Sequence, residues 1–238
     1  MNDIFRRVEK KFILNKSQYI KLKKMIADYM QEDKYGKSTI CNIYFDTNQY
    51  DLIRHSITKP YYKDKIRLRS YNVPNKDSKV YLEIKRKCDE VVGKRRIEMK
   101  LNSFYEYVLN NKPFATSNAQ IENELYYYFN FYNLKPAMYV SYEREAFYQK
   151  DNMDFRATFD SNIIARDYDL QLEKGSYGEL ILPRDQYIME LKTLGATPLW
   201  MVKILNDLNI KRVVYSKYGT AYTNLILNAE DMINKMVI

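Results

Sequence analysis

Charged and apolar residues alternate along several short stretches of this chain. In one of them, Arg67 and Arg69 would share one face of a strand and Ile66 the other, because successive strand side chains point to opposite faces. Stretches of this kind cover residues 65–71, 80–87, 140–146, 155–160 and 187–193. Their agreement predicts strands that share a cation-lined surface, which would suit a polyanion.

Further elements follow from helical spacing and from turn residues between the strands. Asn15 or Ser17 is suited to the N-cap of the first helix, and Thr197-Pro198 to a helix start, because proline tolerates the first helical position. Residues 65–71 and 79–87 should pair as a hairpin. The predicted strands are 40–46, 65–71, 79–87, 138–147, 155–160 and 187–193; the predicted helices are 17–30, 102–110, 118–130, one from 197 and one from about 218.

No flexible linker, charge block or internal repeat divides the sequence. The prediction is therefore one α+β domain over residues 1–238, built on an antiparallel sheet. The charged faces of the strands have two alternative locations. They can face bulk solvent, which is the usual place for charge, or they can line a wet, anion-filled barrel, because burying cations in a dry core is costly.

The charge of the chain favours an acidic partner. Its formal net charge is +9 and its pI is near 9.2, which fits a phosphate compound, a nucleic acid or an anionic membrane surface. No nucleic-acid partner is expected, because the basic residues lie on strands and no nucleic-acid signature is present. Cys41 and Cys88 form no metal or redox motif, and no signal peptide or membrane span is evident. The expected location is cytoplasmic; a membrane-associated partner protein is left open.

Short motifs recur in a fixed order along almost the whole chain. They are Arg7-Val-Glu-Lys-Lys11, Tyr44-Phe-Asp46, Arg67-Leu-Arg69, Leu82-Glu-Ile-Lys85, Tyr142-Glu-Arg144, Arg156-Ala-Thr-Phe-Asp160, Met189-Glu-Leu-Lys192 and Ser216-Lys-Tyr218. This series resembles the polyphosphate polymerase domain of the vacuolar transporter chaperone (VTC) type, in the CYTH-like triphosphate tunnel metalloenzyme superfamily. The resemblance implies an eight-stranded antiparallel β-barrel, with helices packed outside and a tunnel that binds linear phosphates.

The resemblance also assigns roles to individual residues. The expected catalytic, phosphate-holding cations are Lys11, Arg67, Arg69, Lys85, Arg144, Arg156, Lys192 and Lys217. Tyr142, Ser216 and Lys87 are expected to contribute to substrate binding. Arginine suits such a site because its guanidinium contacts two phosphate oxygens at once, whereas lysine supplies a mobile point charge.

A divalent metal is the cofactor that the resemblance implies. Glu190 resembles the principal metal ligand, and Mn²⁺ or Mg²⁺ needs few protein ligands when phosphate oxygens and water complete its coordination. Glu9 and Glu83 are further candidate ligands, with charge balancing of nearby cations as the alternative role. Asp160 is expected to be structural, pairing with a nearby arginine or lysine.

The implied activity is ATP-dependent polyphosphate synthesis. The partners would be ATP, pyrophosphate or tripolyphosphate, and inorganic polyphosphate. Metal-dependent hydrolysis of tripolyphosphate or nucleoside triphosphates and a non-catalytic polyphosphate-binding module are the alternatives. Arg7 disfavours the hydrolase, because related hydrolases carry a metal-ligating glutamate at the corresponding position of the first strand.

Overall fold

An 11-stranded antiparallel sheet forms the centre of the computed structural model, which describes residues 8–89, 91–110 and 118–229. Arg7 lies outside these residues. The strands are β1 (Val8–Asn15), β2 (Met30–Glu32), β3 (Ser38–Asp46), β4 (Tyr62–Tyr71), β5 (Lys79–Cys88), β6 (Val91–Lys100), β7 (Lys135–Gln149), β8 (Arg156–Arg166), β9 (Glu179–Leu180), β10 (Gln186–Thr193) and β11 (Arg212–Val213). The helices are α1 (Lys16–Ile26), α2 (Asp51–Ile57), α3 (Leu101–Asn110), α4 (Ala119–Phe131), α5 (Leu199–Asp207) and α6 (Lys217–Tyr222), which continues into a π-helical turn (Thr223–Leu227).

The order of the strands is β11-β1-β10-β8-β7-β3-β4-β5-β6, with β2 added to β7 and β9 to β8. The described residues contain no strand pairing between β6 and β11, so the hydrogen-bonded sheet is open. The α+β class and the antiparallel sheet are as predicted, whereas an eight-stranded barrel is not confirmed. Side chains nevertheless meet across the sheet, since Lys85 on β5 contacts Glu9 on β1. The sheet is therefore strongly curved, and we call the side on which these residues meet the concave face.

Most helices cover the convex face of the sheet. Phe104 of α3 and Leu125 of α4 pack on the apolar sides of β3 to β6, while Leu22 of α1 and Ile204 of α5 pack on β1, β8 and β10. The apolar residues that alternate with the charged ones are thus buried beneath helices. This burial leaves the charged residues on the concave face, because the strand alternation gives them no other side.

Helix α6 closes part of the concave face. Tyr218 and Ala221 of α6 are buried against Val140 of β7, Ile188 of β10 and Tyr44 of β3. On the same face of the sheet, Val140 of β7 is followed by Tyr142 and Arg144. Likewise, Ile188 of β10 is followed by Glu190 and Lys192. One end of the concave face is consequently apolar and the other is charged.

Most predicted elements are present, with shifted ends. Helix α1 begins after Asn15, which forms a capping box with Gln18, and ends at Ile26 because the chain enters β2 at Met30. The hairpin of β4 and β5 is confirmed. Strand β6 and helix α2 were not predicted, since Val91–Lys100 is rich in cations and Asp51–Ile57 is short.

None of the helices in the described part of the chain combines the length and apolar character needed to cross a bilayer. That residues 1–238 form one domain stays a prediction.

Candidate functional site

Cations from seven separate elements converge on the concave face. They are Lys11 of β1, Lys65, Arg67 and Arg69 of β4, Lys85 of β5, Lys94 of β6, Arg144 of β7, Lys192 of β10 and Lys217 of α6. The carboxylates that face them are Glu9, Glu83, Asp160 and Glu190. The cations outnumber the carboxylates, so the face carries an excess of positive charge.

Asp160 is the fully buried centre of one ion-pair network. Its two oxygens accept hydrogen bonds of 2.6 and 2.7 Å from Nε and Nη2 of Arg144, and its Oδ2 lies 2.6 Å from Nζ of Lys217. Burial alone would raise the pKa of Asp160, but Arg144 and Lys217 outweigh it and lower the pKa to about 2. The expected structural role of Asp160 therefore agrees with its contacts.

Glu83 is the centre of a second network. It is fully buried, and its carboxylate lies 2.8 Å from Nη2 of Arg67 and also pairs with Lys94. Burial opposes ionisation, but Arg67, Arg69 and Lys94 together hold the pKa of Glu83 well below its usual value. Because cations engage both carboxylate oxygens, the geometry favours charge balancing over metal ligation for this residue.

Three cations on the concave face lack such a counter-charge. Among the described residues, no carboxylate lies within ion-pair distance of Lys11, Lys65 or Arg69. Lys11 donates to the Tyr215 carbonyl at 2.9 Å and Lys65 to the Ser216 hydroxyl at 2.7 Å. Arg69 donates to Asn42 Oδ1 at 2.9 Å and to the Tyr142 hydroxyl at 3.0 Å. Their hydrogen-bond partners are neutral, and carboxylates act on Lys11 and Arg69 only from beyond ion-pair distance: Glu190 and Glu9 on Lys11, and Glu83 on Arg69.

Burial and the cations of the concave face shift the pKa of neighbouring groups. Burial alone would raise the pKa of Tyr142, but Arg144, Arg69 and Lys217 outweigh it and lower the pKa to about 8. Burial lowers the pKa of Lys11 to about 8, although Glu190 opposes the shift. The lowered pKa values of Tyr142 and Lys11 both indicate a site that favours added negative charge.

Glu9 and Glu190 are the carboxylates best placed for a divalent cation. They lie on the paired strands β1 and β10, and Lys192, Lys11, Lys85 and Arg144 hold the pKa of Glu190 well below its usual value despite burial. The buried hydroxyl of Thr158, opposite Glu190 on β8, has no hydrogen-bond partner among the described residues. No cluster of three or more His, Cys, Asp or Glu side chains is present in those residues. This oxygen-donor set fits Mg²⁺ or Mn²⁺ if a phosphate completes the coordination.

Comparison with protein families matches the model of the VTC domain over residues 6–226. The chain belongs to the VTC domain family. The resemblance drawn from its motifs is thereby confirmed.

One solved structure supports the fold of this VTC domain, and others show a weaker likeness. A candidate adenylate cyclase from Bacillus halodurans has a TM-score of 0.55 and 12% identity, over 89% of this chain and 95% of its own. A candidate adenylate cyclase from Vibrio parahaemolyticus has a TM-score of 0.49 and 12% identity, over 90% and 96%. The Mimivirus capping enzyme triphosphatase has a TM-score of 0.35 and 9% identity, over 86% and 89%. Of these three, the first alone has a TM-score above 0.5, and at 12% identity its likeness concerns the fold alone. Comparison with curated proteins finds no match to this VTC domain.

Three of the predicted binding residues of the VTC domain lie towards the edge of the concave face. Arg156 is exposed and donates to the carbonyl of Met153 within its own hairpin, at 3.2 Å. Lys87 lies beyond Lys85 on β5, opposite Lys63 of β4. Lys192 is partly exposed and pairs with Glu190 at 3.1 Å. These side chains are accessible to a ligand but are not part of the buried networks.

Sequence reasoning missed several residues of the concave face. Lys65 continues the alternation of Arg67 and Arg69, so its signal was present in the sequence. Lys94 lies on the unpredicted strand β6, where Lys94, Arg96 and Glu98 alternate with apolar or glycine neighbours less regularly. Tyr44 has no charge that would indicate a site residue in the sequence, but its hydroxyl accepts a hydrogen bond from Arg67 at 3.3 Å.

Proposed function

We propose that this VTC domain is an ATP-dependent polyphosphate polymerase that transfers the γ-phosphate of ATP to a growing inorganic polyphosphate chain. The observation that carries the proposal is the excess of cations on one curved sheet face. A linear polyphosphate carries negative charge along its whole length, so it can compensate cations that come from several strands. A compact anion such as a single carboxylate could not reach them all.

The proposed roles follow from the donors of each side chain. Arg67, Arg69 and Arg144 would contact pairs of phosphate oxygens, and Lys11, Lys85, Lys192 and Lys217 would supply single charges. Tyr142 and Ser216 would donate neutral hydrogen bonds. Arg156 and Lys87 would contact the chain nearer the edge of the face.

The reaction needs positioning and charge stabilisation more than proton transfer. An oxygen of the terminal phosphate attacks the γ-phosphorus of ATP, the bond from that phosphorus to the β–γ bridging oxygen breaks, and ADP leaves with the electron pair. The attacking oxygen is already anionic near neutral pH, so no general base is required. Lysine and arginine side chains on the concave face would stabilise the charge on the transferred group and on the leaving oxygen.

Glu190 and Glu9 would hold the divalent cation, Mn²⁺ or Mg²⁺. When bound, such an ion neutralises phosphate charge and polarises the phosphorus–oxygen bonds. Lys85 and Lys192 pair with these carboxylates in the present structure, at 2.6 and 3.1 Å. Their ammonium groups would then become available to phosphate oxygens.

The decisive experiment incubates the purified protein with ATP and Mn²⁺, with and without pyrophosphate as primer. Products are resolved on a polyphosphate gel, and ADP and free phosphate are assayed in parallel. A ladder of lengthening chains with matching ADP is expected. Free phosphate without a ladder would instead identify a hydrolase, and tight tripolyphosphate binding without turnover would identify a binding module.

A matched pair of variants ties the activity to the concave face. Lys192→Met removes a cation that pairs with Glu190 within the site, and Lys37→Met removes one that pairs with Glu143 elsewhere on the protein. Both change the net charge equally. Loss of the ladder in Lys192→Met alone is expected, whereas equal activity of the two variants would place the reaction elsewhere.

A further inference from the structure

Lys65 has no role in the proposed reaction so far, although it lies among the residues assigned to it. Its side chain projects from β4 on the same face as Arg67 and Arg69, and Nζ lies 2.7 Å from the Ser216 hydroxyl at the start of α6. The described residues place no carboxylate within ion-pair distance of it. The residue as a whole is half-buried rather than sealed within the apolar core.

The hydrogen bonds of Ser216 indicate what this contact does. Its hydroxyl oxygen accepts from Lys65 Nζ and also from the Gly219 amide at 3.1 Å, where Ser216 caps helix α6. A hydroxyl oxygen that accepts two hydrogen bonds keeps its own proton to donate. Lys65 thereby orients a neutral donor at the point where its own charge is uncompensated.

The charged groups that act most strongly on Lys65 are all cations. Lys11 of β1, Lys85 of β5, and Lys63 and Arg67 of β4 all contribute repulsion to it. Burial and these neighbours lower the pKa of Lys65 well below its usual value. A structural lysine would be expected to have an acidic partner here, because an uncompensated partly buried cation destabilises a fold.

We propose that Lys65 is a further phosphate-binding residue of the concave face, and that it acts as a pair with Ser216 on one phosphate of the bound chain. The inference rests on the site of the proposed function and extends it to a residue outside the family motifs. The phosphate would supply the missing counter-charge to Lys65 and accept the hydrogen bond from Ser216. Burial and cationic neighbours lower the pKa of Lys65, and the negative charge of a bound phosphate would oppose that shift.

The test measures tripolyphosphate binding by calorimetry in a chelator, so that neither metal nor turnover is needed. Lys65→Met should weaken binding by about tenfold or more, the scale of a charge-assisted hydrogen bond, and Lys65→Arg should retain most of the affinity. Lys23→Met is the matched control, because Lys23 pairs with Glu145 on the convex side and its loss changes the net charge equally.

The stability of the free protein and the coupling between variants distinguish a phosphate-binding role of Lys65 from a structural one. Lys65→Met should leave the free protein as stable as the wild type or more so, and should reduce the rise in Tm that tripolyphosphate causes. Ser216→Ala and the double variant should show non-additive losses of affinity. Wild-type affinity in Lys65→Met, or an equal loss in Lys23→Met, overturns the proposal; Lys65→Gln replaces Lys65→Met if the latter does not fold.

The two proposals fail in different ways. A wild-type protein that does not bind tripolyphosphate at all contradicts the proposed function. Wild-type binding that Lys65→Met leaves unchanged contradicts the role of Lys65 alone.

Discussion

Glu9 and Lys85 form an ion pair of 2.6 Å between Oε2 and Nζ, although β10, β8, β7, β3 and β4 lie between their strands in the order of the sheet. Burial would raise the pKa of Glu9, but Lys85 opposes it and the pKa remains below its usual value. The pair thus joins distant strands of an open sheet through charged side chains. Curvature of the sheet, rather than strand pairing, is what brings the cations into one site.

Asp160→Asn should destabilise the free protein strongly. The change leaves Arg144 and Lys217 buried without their shared counter-charge, at a cost of about 3–5 kcal/mol. Urea unfolding measures the loss in the free energy of unfolding. Glu98→Gln is the control, because Glu98 forms an exposed pair with Lys79 and its replacement should change stability little. Tripolyphosphate should raise the Tm of Asp160→Asn more than that of the wild type, since it replaces the lost negative charge. An equal rise in Tm for both proteins would mean that phosphate does not reach these cations.

Arg69→Met should weaken tripolyphosphate binding by about tenfold or more, because this buried cation has only neutral partners and is available to phosphate. Calorimetry in a chelator measures the affinity. Arg86→Met provides the control, since Arg86 pairs with Asp64 and Glu124 on the convex side. That variant should lose stability but keep its affinity. Native affinity in Arg69→Met would place this arginine outside the phosphate site.

Glu190→Gln should separate metal-dependent turnover from phosphate binding. Turnover with Mn²⁺ should be lost, because the proposed principal ligand no longer carries a charge. Tripolyphosphate binding in a chelator should be equal or tighter, because a carboxylate that repels phosphate has been removed. Glu145→Gln, at a carboxylate that pairs with Lys23, should change neither property. Unchanged turnover of Glu190→Gln would remove Glu190 from the metal site.

The free protein should become more stable as the pH rises from about 7.5 to 9. Tyr142 has a folded-state pKa of about 8 against about 10 when unfolded, so in this range the unfolded chain binds more protons. Lys65, whose pKa is also lowered, acts in the same direction. Tyr142 alone should contribute about 1 kcal/mol by pH 9. Above pH 9 the Cys41 thiol opposes the trend, because burial raises its pKa.

The measurement is the Tm of the free protein across this range in phosphate-free buffers. Tyr142→Phe should show a smaller rise than the wild type. Identical pH profiles would mean that the cations do not lower the pKa of Tyr142. Saturating tripolyphosphate should flatten the wild-type profile, since added negative charge raises the pKa of Tyr142 towards its usual value.

The sequence was sufficient to predict most strands and to predict which side chains share a strand face. Arg67 and Arg69 were assigned to the charged face from alternation alone, and the structure places them there together with Lys85 and Arg144. The roles of these residues in phosphate binding stay predictions. Strand β6 and helix α2 were missed because neither carries a regular apolar pattern of sufficient length.

Local alternation by itself determined that this protein has apolar and cationic strand faces, since strand geometry fixes which side chains lie together. Only the tertiary structure decided which charges are compensated. Lys217 joins the cross-strand pair of Arg144 and Asp160, and Glu9 meets Lys85, across distances in sequence that no local pattern encodes. Lys65 differs from Arg67 because the register of β4 and β5 sets Glu83 opposite Arg67 but Lys85 opposite Lys65, while the fold brings Ser216, at the start of α6, to Lys65.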